Sequence, residues 1–200
     1  MSNSQNVKDP VREEILQGAR QLFERFGFKK TTMEDIAKQI GKSKSSLYYY
    51  YKTKEEIFEA VVLEDMDKQR DVAIEAIKKE ETAAGKFRVL FTTLLSGVKE
   101  RGNRFSIFRA DMYENPFFFA GIIRQRDSYI EEIIKDILIL GVSKQEVKMM
   151  NSAEMNAWAK MTNLTIKSIG SKLFLEQDED GFPEHQFVFL ANSLFYGVKA

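Results

Sequence analysis

Residues 43–54, SKSSLYYYYKTK, gather three kinds of hydrogen-bond donor: hydroxyls at Ser43, Ser45, Ser46 and Thr53, ammonium groups at Lys44, Lys52 and Lys54, and four consecutive tyrosines. Ser, Thr, Tyr and Lys side chains all donate to phosphate oxygens. A lysine at Lys44 can reach guanine acceptors, and the small Ser45 and Ser46 let a helix sit deep in a major groove. From Ile36 to Lys54 there is no Asp or Glu, whereas Lys38, Lys42, Lys44, Lys52 and Lys54 are all present. The chemistry these residues suit is binding of a phosphate backbone, although the formal net charge of the whole chain is zero. Residues 176–180, EQDED, are the acidic counterpart far along the chain.

Other chemistries find little support. The absence of cysteine excludes disulfides and thiolate metal sites. His185, the single histidine, follows Pro183 closely and suits a surface or capping role. No nucleophile elbow, phosphate loop or metal-ligand spacing occurs. No catalytic residue, metal ligand or cofactor is therefore expected. No apolar run approaches the roughly 18–20 residues that span a bilayer, and the opening MSNSQNVKDP is polar, so the expected setting is the cytoplasm, without membrane contact.

Scarce proline and modest glycine suit an all-α chain. Val11, Ile15, Ala19, Leu22, Phe23 and Phe26 form one stripe of a first helix, with Arg12, Glu13, Arg20 and Glu24 off it, and Gly27 offers its C-cap. Thr31 with Glu34 reads as a capping box for a second helix, whose apolar face is Met33, Ile36, Ala37 and Ile40 and which Gly41 stops. Ser43 caps a third short helix running to about Tyr51, and Thr53 with Glu56 opens a fourth through Ile57, Phe58, Val61 and Val62. Two short helices joined at Gly41 and backed by a longer one make a helix-turn-helix unit. With Leu47 facing the core, Tyr51 falls within roughly 40° of it at about 100° per residue. By the same count Tyr50 lies about 60° to the other side, Tyr48 about 100° away, and Tyr49 about 160° away beside Ser45. Tyr51 is thus expected inside, Tyr49 outward, and Tyr48 and Tyr50 on the flanks.

The run from Gly27 to Gly41, GFKKTTMEDIAKQIG, followed by Ser43 to Phe58, SKSSLYYYYKTKEEIF, closely resembles the DNA-binding domain of TetR-family transcriptional regulators. The likeness is dense from Ile15 to Val62 and beyond that is one of helical layout and length. It implies an N-terminal three-helix DNA-binding domain over residues 1–55 and a larger helical ligand-binding and dimerisation domain over 56–200. By position, Thr32 matches a phosphate contact and Lys44, Ser45 and Ser46 match the base-reading start of the recognition helix. Tyr48 and Tyr49 match the aromatic pair meeting the DNA backbone, and Lys54 matches a phosphate-binding lysine. Tyr51 stands where the family usually has a buried Phe. Lys42 replaces a usual Val, and must either snorkel or add charge near the DNA.

The remainder reads as more helices: a charged amphipathic segment over 68–81, apolar helices over 87–98 and 105–113, a long helix from Phe117 to about Leu140 ended by Gly141, one from a Ser143–Glu146 capping box to about Phe174, and a last over 184–198. In the last, Phe187, Leu190, Ala191, Leu194 and Val198 form one stripe, yet Val188, Phe189, Phe195 and Tyr196 are apolar too. A face that wide calls for a second chain. The 143–174 helix, with Ala153, Ala157, Met161 and Leu164, is the expected other half of a homodimer interface. Phe91, Leu95, Phe105, Phe108, Met112, Tyr113, Phe118 and Trp158 are candidates for an apolar, aromatic effector pocket, although such stripes are more often plain core. Arg109 and Asp111 could orient a polar ligand group.

The expected function is a ligand-responsive repressor that binds a palindromic double-stranded DNA operator as a homodimer and is released by a small, partly apolar effector. The alternatives are a dimeric ligand-binding protein that no longer reads DNA, a helical enzyme with an unseen site, and an activator or structural regulator.

Overall fold

The computed structural model describes residues 9–104, 116–125, 127–175 and 183–200. Among them are nine helices: α1 (Pro10–Phe26), α2 (Met33–Gln39), α3 (Lys44–Tyr50), α4 (Lys54–Lys78), α5 (Ala83–Arg104), α6 (Pro116–Arg124), α7 (Asp127–Ser143), α8 (Ser152–Leu175) and α9 (Glu184–Tyr196). The chain is all-α. It packs as two compact units that divide within α4 between Asp65 and Met66, with residues 116–122 belonging to the first.

In the first unit, local signals set the helix ends. Asp9 caps α1 by accepting the Val11 N–H at 2.9 Å, and Pro10 occupies the first turn, where its missing N–H costs nothing. The Gly27 N–H donates to the Phe23 carbonyl and closes the helix. The α2 capping box sits one residue later than its expected position at Thr31 and Glu34. Thr32 is the N-cap and Asp35 its reciprocal partner, because Thr31 is buried and donates its hydroxyl to the Gly27 carbonyl at 2.8 Å. At the other end of α2, Gly41 takes φ +64°, so that its N–H reaches Lys38 and the Lys42 N–H reaches Ala37. This left-handed residue turns the chain into α3.

The core of this unit joins Ile15, Ala19 and Phe23 of α1, Ile36 and Ala37 of α2, Leu47 of α3, and Ile57, Phe58 and Val61 of α4. Phe23 meets Phe58 edge-on at 5.3 Å, and Phe28 meets Phe58 at 5.0 Å. Burying each such side chain stabilises by about 1.5–3 kcal/mol. Phe26, expected on the buried stripe of α1, is instead exposed with the Arg25 guanidinium over its ring. Arg20 holds α1 to α4 through Glu64 at 2.7 Å and through Asp65. Burial works against its charge, but the two carboxylates outweigh that and raise its pKa.

The second unit is built around α5, which packs against α7, α8 and α9. Its core holds Phe87, Leu90, Phe91 and Leu95 of α5, Ile134 and Leu138 of α7, and Phe187, Ala191 and Phe195 of α9. Several boundaries differ from expectation. The segments over 54–62 and 68–78 form one uninterrupted α4. The expected 117–140 helix is two, α6 and α7. Gly141 does not stop α7, which continues to Ser143. A Cβ there would lie 2.5 Å from Val147 Cγ2, so the glycine serves close packing. No capping box forms at Ser143, whose hydroxyl donates to Leu140, while Glu146 accepts the Ala83 N–H at 2.7 Å and so caps α5. The box that opens α8 is Asn151 with Glu154. On α9 the buried positions are Phe187, Ala191 and Phe195, with Val198 buried just beyond its end, while Leu190 and Leu194 are only half-buried. The expected 105–113 helix and the acidic run at 176–180 lie outside the described residues.

Candidate nucleic-acid interface

The reading surface is assembled by α2, the turn and α3. Ser43 caps α3 by accepting the Ser46 N–H at 3.1 Å, which fixes the first turn carrying Lys44, Ser45 and Ser46. Lys44 and Ser45 are exposed and Ser46 half-buried. Leu47 is fully buried and anchors the helix from below. Tyr51 is only 3% exposed, whereas Tyr49 is 78% exposed and Tyr48 is exposed on the flank. The tyrosines therefore divide as the helical wheel predicts. Tyr49 stands edge-on to Tyr50, ring centroids 5.2 Å apart. Partial burial and the neighbouring Asp9 carboxylate push the Tyr50 phenol pKa up.

Thr32 lies at the exposed start of α2, its hydroxyl and N–H both committed to Asp35. That donation to the charged carboxylate lowers the Asp35 pKa. Lys54 is folded back: its ammonium donates to the Phe28 carbonyl at 2.7 Å and lies 4.3 Å from the Phe28 ring centre. Lys42 pairs with Glu14 of α1 at 3.4 Å, so the residue standing at a usually apolar turn position is neutralised at the surface. Lys52 donates to the Tyr48 carbonyl, and its own N–H donates to Glu56, closing the C-terminal end of α3.

Two residues of this surface were not singled out from the sequence. Arg12 donates from Nε to the Tyr51 hydroxyl at 2.8 Å, with its guanidinium 5.1 Å from the ring centre, and Asp9 meets Tyr50. A signal was present: a phenol at a position the family fills with Phe needs a partner for its hydroxyl.

Candidate pocket residues fall in different places. Phe91 and Leu95 are fully buried in the second unit's core, and Trp158 packs on that core with its ring 5.0 Å from Phe87. Phe118 instead stacks on Phe28 at 5.9 Å and packs on Phe58 in the first unit. Phe105, Phe108, Arg109, Asp111, Met112 and Tyr113 lie outside the described residues. Next to Trp158 on α8, Thr162 and Asn163 are buried polar residues, with Asn163 donating to Glu131 at 3.2 Å. A hollow of about 460 Å³ does occur in the first unit, lined by Leu22, Phe26, Lys30, Thr31, Asp35, Lys38 and Gln39. His185 is exposed. No group of three or more His, Cys, Asp or Glu that could hold a metal occurs among the described residues.

The segment that carries this geometry, residues 15–61, matches the family described as bacterial regulatory proteins, tetR family. Those residues form a TetR-type helix-turn-helix segment. Among relatives, the chain is 34% identical over 68 residues to the HTH-type transcriptional regulator UidR of Escherichia coli (strain K12), covering 34% of this chain and 35% of that one. It is 33% identical over 64 residues to the HTH-type transcriptional repressor AcnR of Corynebacterium diphtheriae, covering 32% and 34%. The chain thus spans about a third of the length of the curated relatives it matches. Its fold is like that of a TetR transcription regulator from Haloarcula marismortui, with a TM-score of 0.74 at 18% identity over 94% of this chain and 98% of that one.

Proposed function

We propose that this chain is a homodimeric repressor whose α3 reads a palindromic DNA operator and whose second unit binds a small, partly apolar effector that releases it. The observation that carries the reading is the division of α3. Leu47 and Tyr51 face inward, while Lys44, Ser45 and Tyr49 form an outward surface with no carboxylate of its own. Burial of the first two orients the others. Lys44, Ser45 and Ser46 serve as base-edge contacts, and Thr32, Tyr48, Tyr49 and Lys54 as phosphate contacts, the last after leaving the Phe28 carbonyl. The relative named a repressor supports that sign of regulation.

Dimerisation is supported by the second unit. Ala153, Ala157, Met161 and Leu164 recur at helical spacing along the exposed side of α8. On α9, Phe189 is 73% and Tyr196 76% exposed, and the intervening Ser193 turns its hydroxyl onto the Phe189 carbonyl. Two stripes this apolar suit burial against a second copy. Two recognition helices then meet successive major grooves about 34 Å apart. An effector bound among residues such as Phe91, Leu95 and Trp158 releases the operator by shifting α4 and so the spacing of the two heads. No helix among the described residues is long and apolar enough to cross a membrane.

Enrichment from random-sequence duplexes tests the reading. The expected result is a palindromic motif with half-sites about one helical turn apart, bound with an affinity that falls steeply with salt. Absence of salt-dependent DNA binding would favour a dimeric ligand-binding protein that does not read DNA.

A further inference from the structure

Arg12, on the first turn of α1, reaches the end of α3. Its Nε–H is held by the Tyr51 hydroxyl at 2.8 Å, and its guanidinium lies against the face of the same ring, 5.1 Å from the centre. Tyr51 is itself fixed, buried and closing α3 through its N–H to the Leu47 carbonyl at 3.0 Å. The guanidinium is therefore locked to the C-terminal end of the reading helix by two contacts to one rigid side chain. Arg12 is nevertheless exposed, and among the described residues it makes no ion pair. An arginine carries five N–H donors, and the bond to Tyr51 uses one. Asp9, one acid at this corner, accepts from the Val11 N–H and meets the Tyr50 hydroxyl. Glu56, at the end of α3, accepts from the Lys52 N–H.

The position along the helix matters as much as the free donors. Seven residues of α3 span about 10 Å, close to the width of a major groove of about 12 Å. Lys44 stands at one end of this span, and the Arg12–Tyr51 pair at the other, beside Tyr50 and, through its ring, the outward Tyr49. An arginine already fixed by packing loses little further freedom on meeting a phosphate, and its planar fork suits two oxygens at once.

We propose that Arg12 is a DNA phosphate contact, presented by Tyr51, that fixes the C-terminal end of the reading helix against the backbone. This rests on the DNA-binding reading above. The phenol in place of Phe at Tyr51 is then functional: its hydroxyl aims the guanidinium.

The test uses the full chain and a duplex enriched from random DNA by the wild-type protein, with affinity measured by fluorescence anisotropy between about 50 and 200 mM salt, and thermal unfolding followed in parallel. Arg12→Gln keeps a donor for the Tyr51 hydroxyl and removes the charge. It is expected to leave the melting temperature unchanged, to weaken binding about tenfold per subunit, and to lower the salt slope by about 0.9 per subunit. Arg12→Lys is expected to retain the slope while losing part of the affinity, since a lysine has charge but no anchored fork. Tyr51→Phe, with Arg12 intact, is expected to retain the slope and lose affinity severalfold. An unchanged slope and affinity in Arg12→Gln would overturn the proposal, and a fall in melting temperature alone would show Arg12 to be only a partner for a buried phenol. No salt-dependent binding by the wild-type chain would instead overturn the DNA-binding reading itself.

Discussion

Tyr49 and Tyr51, two residues apart in one short helix, give the sharpest test of how α3 is divided. Tyr51 is 3% exposed, closes α3, and binds Arg12, so Tyr51→Ala removes a buried ring and leaves a cavity. Truncating a buried aromatic to alanine costs about 3–5 kcal/mol. For a chain of this size each kcal/mol moves the midpoint by about 2–4 °C, so the melting temperature should fall by roughly 6–20 °C. Tyr49 is 78% exposed, and its one ring contact among the described residues is the edge-on Tyr50. Tyr49→Ala should therefore change stability by no more than about 0.5 kcal/mol, which is at most about 2 °C. Its cost appears in binding, where loss of one backbone contact worth about 1 kcal/mol weakens affinity about fivefold. The assay pairs calorimetric melting of both variants with anisotropy on the enriched duplex. Equal falls in melting temperature would refute the assignment of Tyr51 to the core and Tyr49 to the surface. A Tyr49→Ala variant that melts and binds like the wild type would refute a DNA-facing role for that ring.

If the proposed homodimer buries α9, Phe189→Glu, at a 73% exposed position, should yield a monomer in sedimentation velocity without lowering helix content, because the carboxylate is solvated in a monomer and would be desolvated in that interface. A dimer that persists unchanged would place the interface elsewhere. Asp35 provides a pH test. Its folded pKa is depressed by the Thr32 hydroxyl and N–H, so its contribution is fully present above the unfolded value of about 3.9 and is lost as pH falls through the lower folded value. Asp35→Asn should accordingly melt below wild type near neutral pH, with the two melting temperatures converging as pH drops below about 4. A gap that stays constant down to low pH would show that the carboxylate charge contributes nothing to the α2 cap.

Much of the first unit was legible because its signals are local. The period that puts Leu47 and Tyr51 on one side of α3, the Ser43 cap, and the Gly41 turn each act over a few residues and need no partner from afar. The α2 cap shows how narrow the margin is. Thr31 and Thr32 offer the same hydroxyl one residue apart, and burial of the first leaves the second to cap. In the second unit the local signals were genuine but redirected. Glu146 had the spacing to cap a helix at Ser143, yet its carboxylate caps Ala83, 63 residues away, and the turn that results carries α8 forward to Asn151 and Ser152. Phe195 is buried more fully than Leu194 because α9 lays that side on the core built around α5.

The sequence by itself determined an all-helical chain, a helix-turn-helix over its first third, and an outward surface of lysine, serine and tyrosine on α3. These follow from periodicity and capping, which are properties of neighbours along the chain. Only the tertiary structure decided what those residues meet. Arg12 reaches the Tyr51 hydroxyl across 39 residues, Glu14 neutralises Lys42, and the Phe28 carbonyl holds Lys54. Each pairing is made by side chains whose separation is set by how α1 packs on α2, α3 and α4, and no local pattern encodes that distance.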